Sequence, residues 1–256
     1  MSNKNTDGAS QESATEKARK LAFRQLPKRF YKEVSVEAEE SGFSVRLDGR
    51  PMRTPARNKI MLPTREAALL VENEFSRQVD VIDPATMPVT RLANTAIDGV
   101  SGDPQPVLED ILRFASSDLL CYRACHPQAL VDRQNASWDP VLEWAQFTLG
   151  ANLAIAEGVM HIEQPRQAIA AIGQRLRNHT DPFVIAGLHV MTSLTGSALL
   201  AMAVVEDHLD ADQAWAAAHV DEDWNISQWG EDAEAAENRE RRRSEMMAAA
   251  SLIKTI

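Results

Sequence analysis

Apolar residues along this chain fall into two regimes. Near the start they alternate with polar ones: Phe30-Tyr31-Lys32-Glu33-Val34-Ser35-Val36 and Phe43-Ser44-Val45-Arg46-Leu47 each predict a half-buried strand. Ser41-Gly42 supplies a hairpin turn between them. Asp48-Gly49-Arg50-Pro51 is a second turn, leading into short extended pieces at Met52–Thr54 and Ile60–Leu62. From Pro63-Thr64 the period lengthens. A helix is predicted through Val79, with Ala68, Leu69, Glu72 and Phe75 at helical spacing. The connector Ile82 to Pro88 is stiffened by its prolines. Thr90 is read as the cap of a helix running to about Val100. Ser101-Gly102-Asp103-Pro104 combines a flexible break with a helix start and is the expected domain boundary.

Beyond it the pattern is helical: Val107–Ser117, Asp132–Ala151 with a kink at Trp138-Asp139-Pro140, Pro165–Asn178, Asp210–Val220, and one long terminal helix from about Glu222. The stretch Phe183–Val205, FVIAGLHVMTSLTGSALLAMAVV, has no charged residue and is apolar all round, the mark of a helix covered on every side. At ~1.5 Å per residue it would span roughly 35 Å, enough for a bilayer. His189, Thr192, Ser193, Thr195 and Ser197 weigh against lipid. It is therefore read as the central helix of the domain, with Gly187 and Gly196 admitting close neighbours. In the terminal helix, Ile226, Trp229, Ala233, Ala236, Met247 and Ala250 form the expected inner face. Acids early and arginines late would suit its dipole.

Composition adds exclusions. The 256 residues suffice for a sizeable core, at 44% apolar and 25% charged. A formal charge of -10 excludes a nucleic-acid partner and repels anionic membranes, so no membrane insertion is expected. Cys121 and Cys125, without further thiols, read as two buried reduced cysteines of a reducing compartment. Residues 1–20 are polar and mixed in charge, and 1–27 is expected to be a disordered tail. They lack the apolar stretch of a secretory signal, and Asp7, Glu12 and Glu16 do not suit a mitochondrial transit peptide, so a bacterial cytoplasm is expected.

No phosphate-cradling or nucleophile-elbow motif occurs in the sequence. His126, His161, His179, His189, His208 and His219 lack metal spacing, and no metal or cofactor is expected. His189 is read as a hydrogen-bonded core residue. Asp118 and Asp132 are read as turn or cap residues, and Ser137 as an N-cap. Trp138, Trp144 and Trp215 are assigned to the core; Trp224 and Trp229 lie beside carboxylates, the composition of a protein interface.

The segments RFYKEVSV, LDGRPMRTP, NEFSRQVDVIDPATMPVTRLANTAID, SSDLLCYRA, QNASWDPVLEWA and DEDWNISQWGEDAEA, in order from Arg29 to Glu234, resemble the ATP-twelve family of chaperones. Asn225 departs from the family pattern, where glutamine follows the tryptophan, but keeps the amide. The resemblance implies an α+β fold: a small antiparallel β-rich N-terminal domain, 28–101, then a larger all-helical domain, 102–256, around helix 183–205. It further implies an ATP-independent chaperone, not an enzyme, that binds the isolated alpha subunit of F-type ATP synthase and assists assembly of the catalytic head. Acidic residues at the family motif map onto Glu222, Asp232 and Glu234. With Asp223, Trp224 and Trp229 they form the expected partner-binding surface. The alternative is a hydrolase or small-molecule (anion) binder with a site between the domains, near Arg50, Arg53, Arg91 and Asp98.

Overall fold

The computed structural model describes residues 26–256 apart from Val159, so the expected tail lies outside the described residues except for Leu26 and Pro27. The alternating segments form the predicted hairpin, β1 (Val34–Glu39) and β2 (Gly42–Leu47), paired from Val34↔Leu47 to Glu39↔Gly42. The first strand starts later than alternation predicts. Asp48 turns its carboxylate back to accept the Lys32 and Glu33 N–H groups at 3.0 and 2.9 Å, ending the ladder there. Tyr31 leaves the sheet for the core and donates its hydroxyl to the Phe75 carbonyl. β3 (Arg50–Pro51) and β4 (Met61–Leu62) both pair with β2. Gly42 stands where β4 crosses: a Cβ there would lie 2.5 Å from the Leu62 oxygen.

α1 (Arg65–Ser76), capped by Thr64, covers the sheet with Ala67, Ala68, Val71 and Phe75. Leu69 is exposed, so the buried stripe is rotated from the expected one. α2 (Pro88–Thr95) runs on into a wider π turn, Ala96–Val100. Thr90 is not its N-cap. It lies inside the first turn, and the cap comes from Glu74 of α1. That carboxylate accepts Val89 N–H and Thr90 N–H, each at 2.7 Å, and the Thr90 hydroxyl at 2.6 Å. Burial raises the Glu74 pKa, while the same donors pull it down. Replacing Glu74 with Ala removes this cap, and we expect a loss of about 1–2 kcal/mol in denaturant unfolding.

The larger part is helical: α3 (Gln105–Ala115), α4 (Gln128–Trp144), α5 (Arg166–Leu176), α6 (Pro182–Thr195), α7 (Ala198–Val205), α8 (Ala211–Ala218), α9 (Val220–Trp229) and α10 (Ala233–Lys254). A two-residue parallel pair, Tyr122–Arg123 with Ala156–Glu157, accompanies them. α4 starts four residues ahead of Asp132. Ser137 therefore sits in its interior and caps nothing, while Asp132 accepts a bond from Gln128 one turn earlier.

The apolar run 183–205 is the core, but it is two helices rather than one. Gly196, at φ 70°, closes α6 by donating to the Thr192 carbonyl, and Ser197 accepts from Leu200 N–H to open α7. Asp118 completes the break: its fully buried carboxylate accepts Leu199 N–H and Leu120 N–H, both at 3.1 Å. Gly196 thus serves the turn and not a helix contact. Gly187 does serve one, since a Cβ there would lie 2.5 Å from Ile253 Cδ1 of α10. Among the described residues no helix is long and apolar enough to cross a membrane.

The expected single terminal helix is also two. Gly230, at φ 86° and ψ 172°, ends α9, and Asp232 caps α10. The break resets the helical phase, so α10 buries Met246, Ala249 and Leu252 rather than the stripe counted forward from Ile226. α10 packs on α6 and α2. It is joined to the N-terminal part by Thr64 Oγ1 donating to Thr255 O at 2.7 Å and by Arg91–Glu245 at 2.8 Å.

Candidate functional site

The six expected interface residues lie on α9, the turn after it and the first turn of α10. His219, buried against Trp215 with ring centroids 3.8 Å apart, begins α9, and burial lowers its pKa. Beyond it α9 has no buried residue. Val220 packs part-buried against the core at its base, and polar tethers hold the rest to the body. Gln134, itself buried on α4, donates to Asp221 at 2.6 Å while its oxygen accepts Ala124 N–H. The Arg133 guanidinium lies 5.0 Å from the Trp224 ring centre. Arg239 of α10 pairs with Asp223.

Glu222 leans back toward His219 Nε2 at 3.7 Å, with 39% of its side chain exposed. Trp224 is half-buried under Arg133, whereas Trp229 is 79% exposed at the end of the helix. Asp232 accepts Glu234 N–H and Ala235 N–H at 3.1 and 2.9 Å, so it shapes the ridge as well as charging it. Glu234 is exposed. The result is an acidic ridge ending in an open indole, standing on a helix whose seat beyond Val220 is polar.

Arg133 and Gln134 were not legible as parts of this site, since both sit mid-helix on α4 with no periodic signal. The arginines of α10 serve tertiary partners rather than the helix dipole that the charge gradient suggests. They sit mid-helix, where the dipole acts weakly. Arg239 reaches Asp223, Arg243 reaches Asp212 at 2.6 Å, and Arg242 donates to Leu194 O at the open end of α6.

The alternative constellation does not converge. Asp98 is occupied by Thr54 Oγ1, Ala56 N–H and Asn58 Nδ2 at 2.7, 3.1 and 2.9 Å, which hold its pKa low. Arg53 donates to Arg57 O and Arg91 to Glu245, while Arg50 is exposed on β3. Among the described residues no group of three metal-ligating side chains occurs. Of the two cysteines only Cys121 is buried, its thiol pushed up to about 12 by burial. Cys125 is exposed, with Sγ 3.0 Å from His126 Nδ1. His189 pairs with Asp110 at 2.8 Å on a half-exposed face of α6.

Residues 28–146 match the family described as ATP12 chaperone protein. The chain is similar to the Atu1473 protein of Agrobacterium tumefaciens, at 51% identity and TM-score 0.86 over 96% of this chain and 92% of that one. It is similar to Atp12 from Paracoccus denitrificans, at 35% identity and TM-score 0.82 over 90% of this chain and 98% of that one. The mitochondrial Atp12 protein of Schizosaccharomyces pombe is 21% identical over 227 residues, 83% of this chain and 78% of the relative. The shared fold is that of an α+β chaperone. The chain belongs to the ATP12 family, whose role is in ATP synthase assembly.

Proposed function

We propose that this protein is an ATP-independent, non-enzymatic chaperone of the bacterial cytoplasm that binds the isolated alpha subunit of F-type ATP synthase. Glu222, Asp223, Trp224, Trp229, Asp232 and Glu234 form its client surface. One observation supports this reading above the rest: within an ATP12-family chain, α9 buries none of its own residues and presents an indole that is 79% exposed among open carboxylates. An exposed tryptophan with a charged rim is the composition of an interface centre, and an interface burying roughly 1,600 Å² in total, about 800 Å² of it on this chain, would cover a client's apolar face. Steering falls to the carboxylates. Release needs no nucleotide, because the true assembly partner competes for the same face. We further propose that the chain divides near Ser101, with the client surface wholly in the second part.

The test is aggregation of isolated alpha without ATP. Stoichiometric protein should suppress it. Trp229→Ala, whose side chain has little to lose from the fold, should weaken capture roughly 30-fold, and Glu222→Lys about tenfold, with far-UV circular dichroism and melting unchanged. Unaltered suppression by both variants would remove the ridge from the client interface.

A further inference from the structure

A groove of about 540 Å³ lies between the start of α2 and the outer face of α10, on residues that the ridge does not use. One wall is the short turn Pro84–Thr86 with Pro88. The other is a single face of α10, where Glu237, Glu240 and Ser244 follow at three- and four-residue steps. Ala85, Thr86, Glu237, Glu240 and Ser244 are all exposed along it. Among the described lining residues, Glu237, Glu240 and Glu245 face one cation, Arg241. Glu245 is engaged by Arg91, Glu240 has Arg243 at 3.7 Å, and Arg241 donates to Asn238. The balance along the groove is acidic.

The chain brings a complementary segment to this rim. Lys28 bridges Val81 in antiparallel sense, with Arg29 N–H donating to Asp80 O at 3.0 Å and Ile82 N–H to Pro27 O at 2.8 Å. Followed back from Lys28, that pairing points past Ile82 to Asp83 and the turn Pro84–Thr86, which is the groove wall. The sequence just upstream, Lys17-Ala18-Arg19-Lys20-Leu21-Ala22-Phe23-Arg24, holds four cations and no acid in a chain of net charge -10. Its reach is sufficient. Six extended residues cover roughly 20 Å, whereas Glu237 to Glu245 takes up roughly 12 Å of α10.

We propose that residues 17–24 of this same chain occupy the groove, with their cations facing Glu237 and Glu240 and with Leu21 and Phe23 seated on Ala85 and Pro88. Opposite charge draws the segment in and fixes its register, and the apolar side chains gain cover. A segment held there touches the N-terminal part and α10 at once. It adds a third tie to Thr64–Thr255 and Arg91–Glu245, which already join them. The contact is separate from the α9 ridge and does not depend on the client being the alpha subunit.

Carbodiimide coupling of the full chain at low concentration, followed by peptide mass spectrometry, reads the contact directly. Lys17 or Lys20 should be joined to Glu237 or Glu240 within one molecule, in a yield that falls as salt is raised. Trypsin gives an independent measure, because cleavage of a docked segment follows the population that is undocked. Glu237→Gln with Glu240→Gln should speed cleavage after Arg19, Lys20 and Arg24 about fivefold, the effect of losing two exposed ion pairs. Circular dichroism should stay unchanged, since both side chains are exposed. No link, links to Glu222 or Asp223 of the ridge instead, links only between two copies, or equal cleavage of the two proteins would overturn the assignment. The alpha-aggregation assay with ridge variants is read separately, so failure of one proposal leaves the other standing.

Discussion

Trp138→Ala is expected to lower the unfolding free energy by about 3–5 kcal/mol, the range for removing a fully buried large aromatic side chain. The indole has no exposed surface, and its Nε1 donates to Ala217 O at 2.7 Å. The Arg123 guanidinium lies 5.1 Å from the ring centre. That guanidinium is itself buried and donates to Leu120 O, Asn135 Oδ1 and Asp139 Oδ1 at 2.9, 2.9 and 2.8 Å. Truncation therefore opens a cavity, strips one face of a buried cation and orphans a carbonyl at the end of α8. Urea unfolding reads the loss as a lower midpoint at unchanged slope. Trp138→Phe keeps most of the area and loses the hydrogen bond, so it should cost only about 1–2 kcal/mol. A loss below about 1 kcal/mol for the alanine variant would show that the three contacts do not act on stability together. Because Ala217 stands three residues before α9, the alanine variant should also loosen the base of the client ridge. The phenylalanine variant should leave capture nearly intact.

The sequence carried the hairpin, the presence of α1 though not its buried face, and the central apolar run, because each depends on periodicity or turn chemistry within a few residues. It did not carry the two helix breaks, although the local signals stand in plain view. Thr195-Gly196-Ser197 holds a left-handed glycine cap followed by a serine N-cap, and Gly230-Glu231-Asp232 holds a glycine break followed by an aspartate N-cap. In the first case the absence of charge along the run masked the break. In the second, the gradient of acid to base made one helix look continuous. Burial all round is a property of the packed run and says nothing about whether the backbone stays straight. The donors and acceptors that complete these ends come from far away: Asp118 for α7, Glu74 for α2, Arg242 for the end of α6. Sequence spacing cannot bring such partners together. The ridge was legible as composition, tryptophan beside carboxylate. Its seat was not, since Arg133, Gln134 and Arg239 touch it only through the tertiary fold.

Asp118→Ala is the second large effect expected. The carboxylate has no exposed surface and is ringed by donors: Leu120 N–H, Leu199 N–H and Ala198 N–H, and the Ser197 hydroxyl. An acceptor-only side chain suits that ring, and alanine would leave buried N–H groups unpaired at about 1–3 kcal/mol each. We expect a loss of roughly 3 kcal/mol at neutral pH and a melting temperature lower by roughly 6–12 °C. The charge also has a cost, and pH exposes it. Burial outweighs the donors and raises the Asp118 pKa from 3.8 to about 6. The folded protein then holds this proton more tightly than the unfolded chain. Its contribution to stability is fully present below the unfolded pKa, falls as pH rises through about 6, and is flat beyond. Other carboxylates titrate over the same range, so the informative quantity is wild type minus variant. That difference should be largest near pH 4 and shrink by up to about 3 kcal/mol by pH 7. A difference that grows over this interval would mean that the donors, and not burial, govern the carboxylate, and that Asp118 holds the break between α6 and α7 as a stabilised anion.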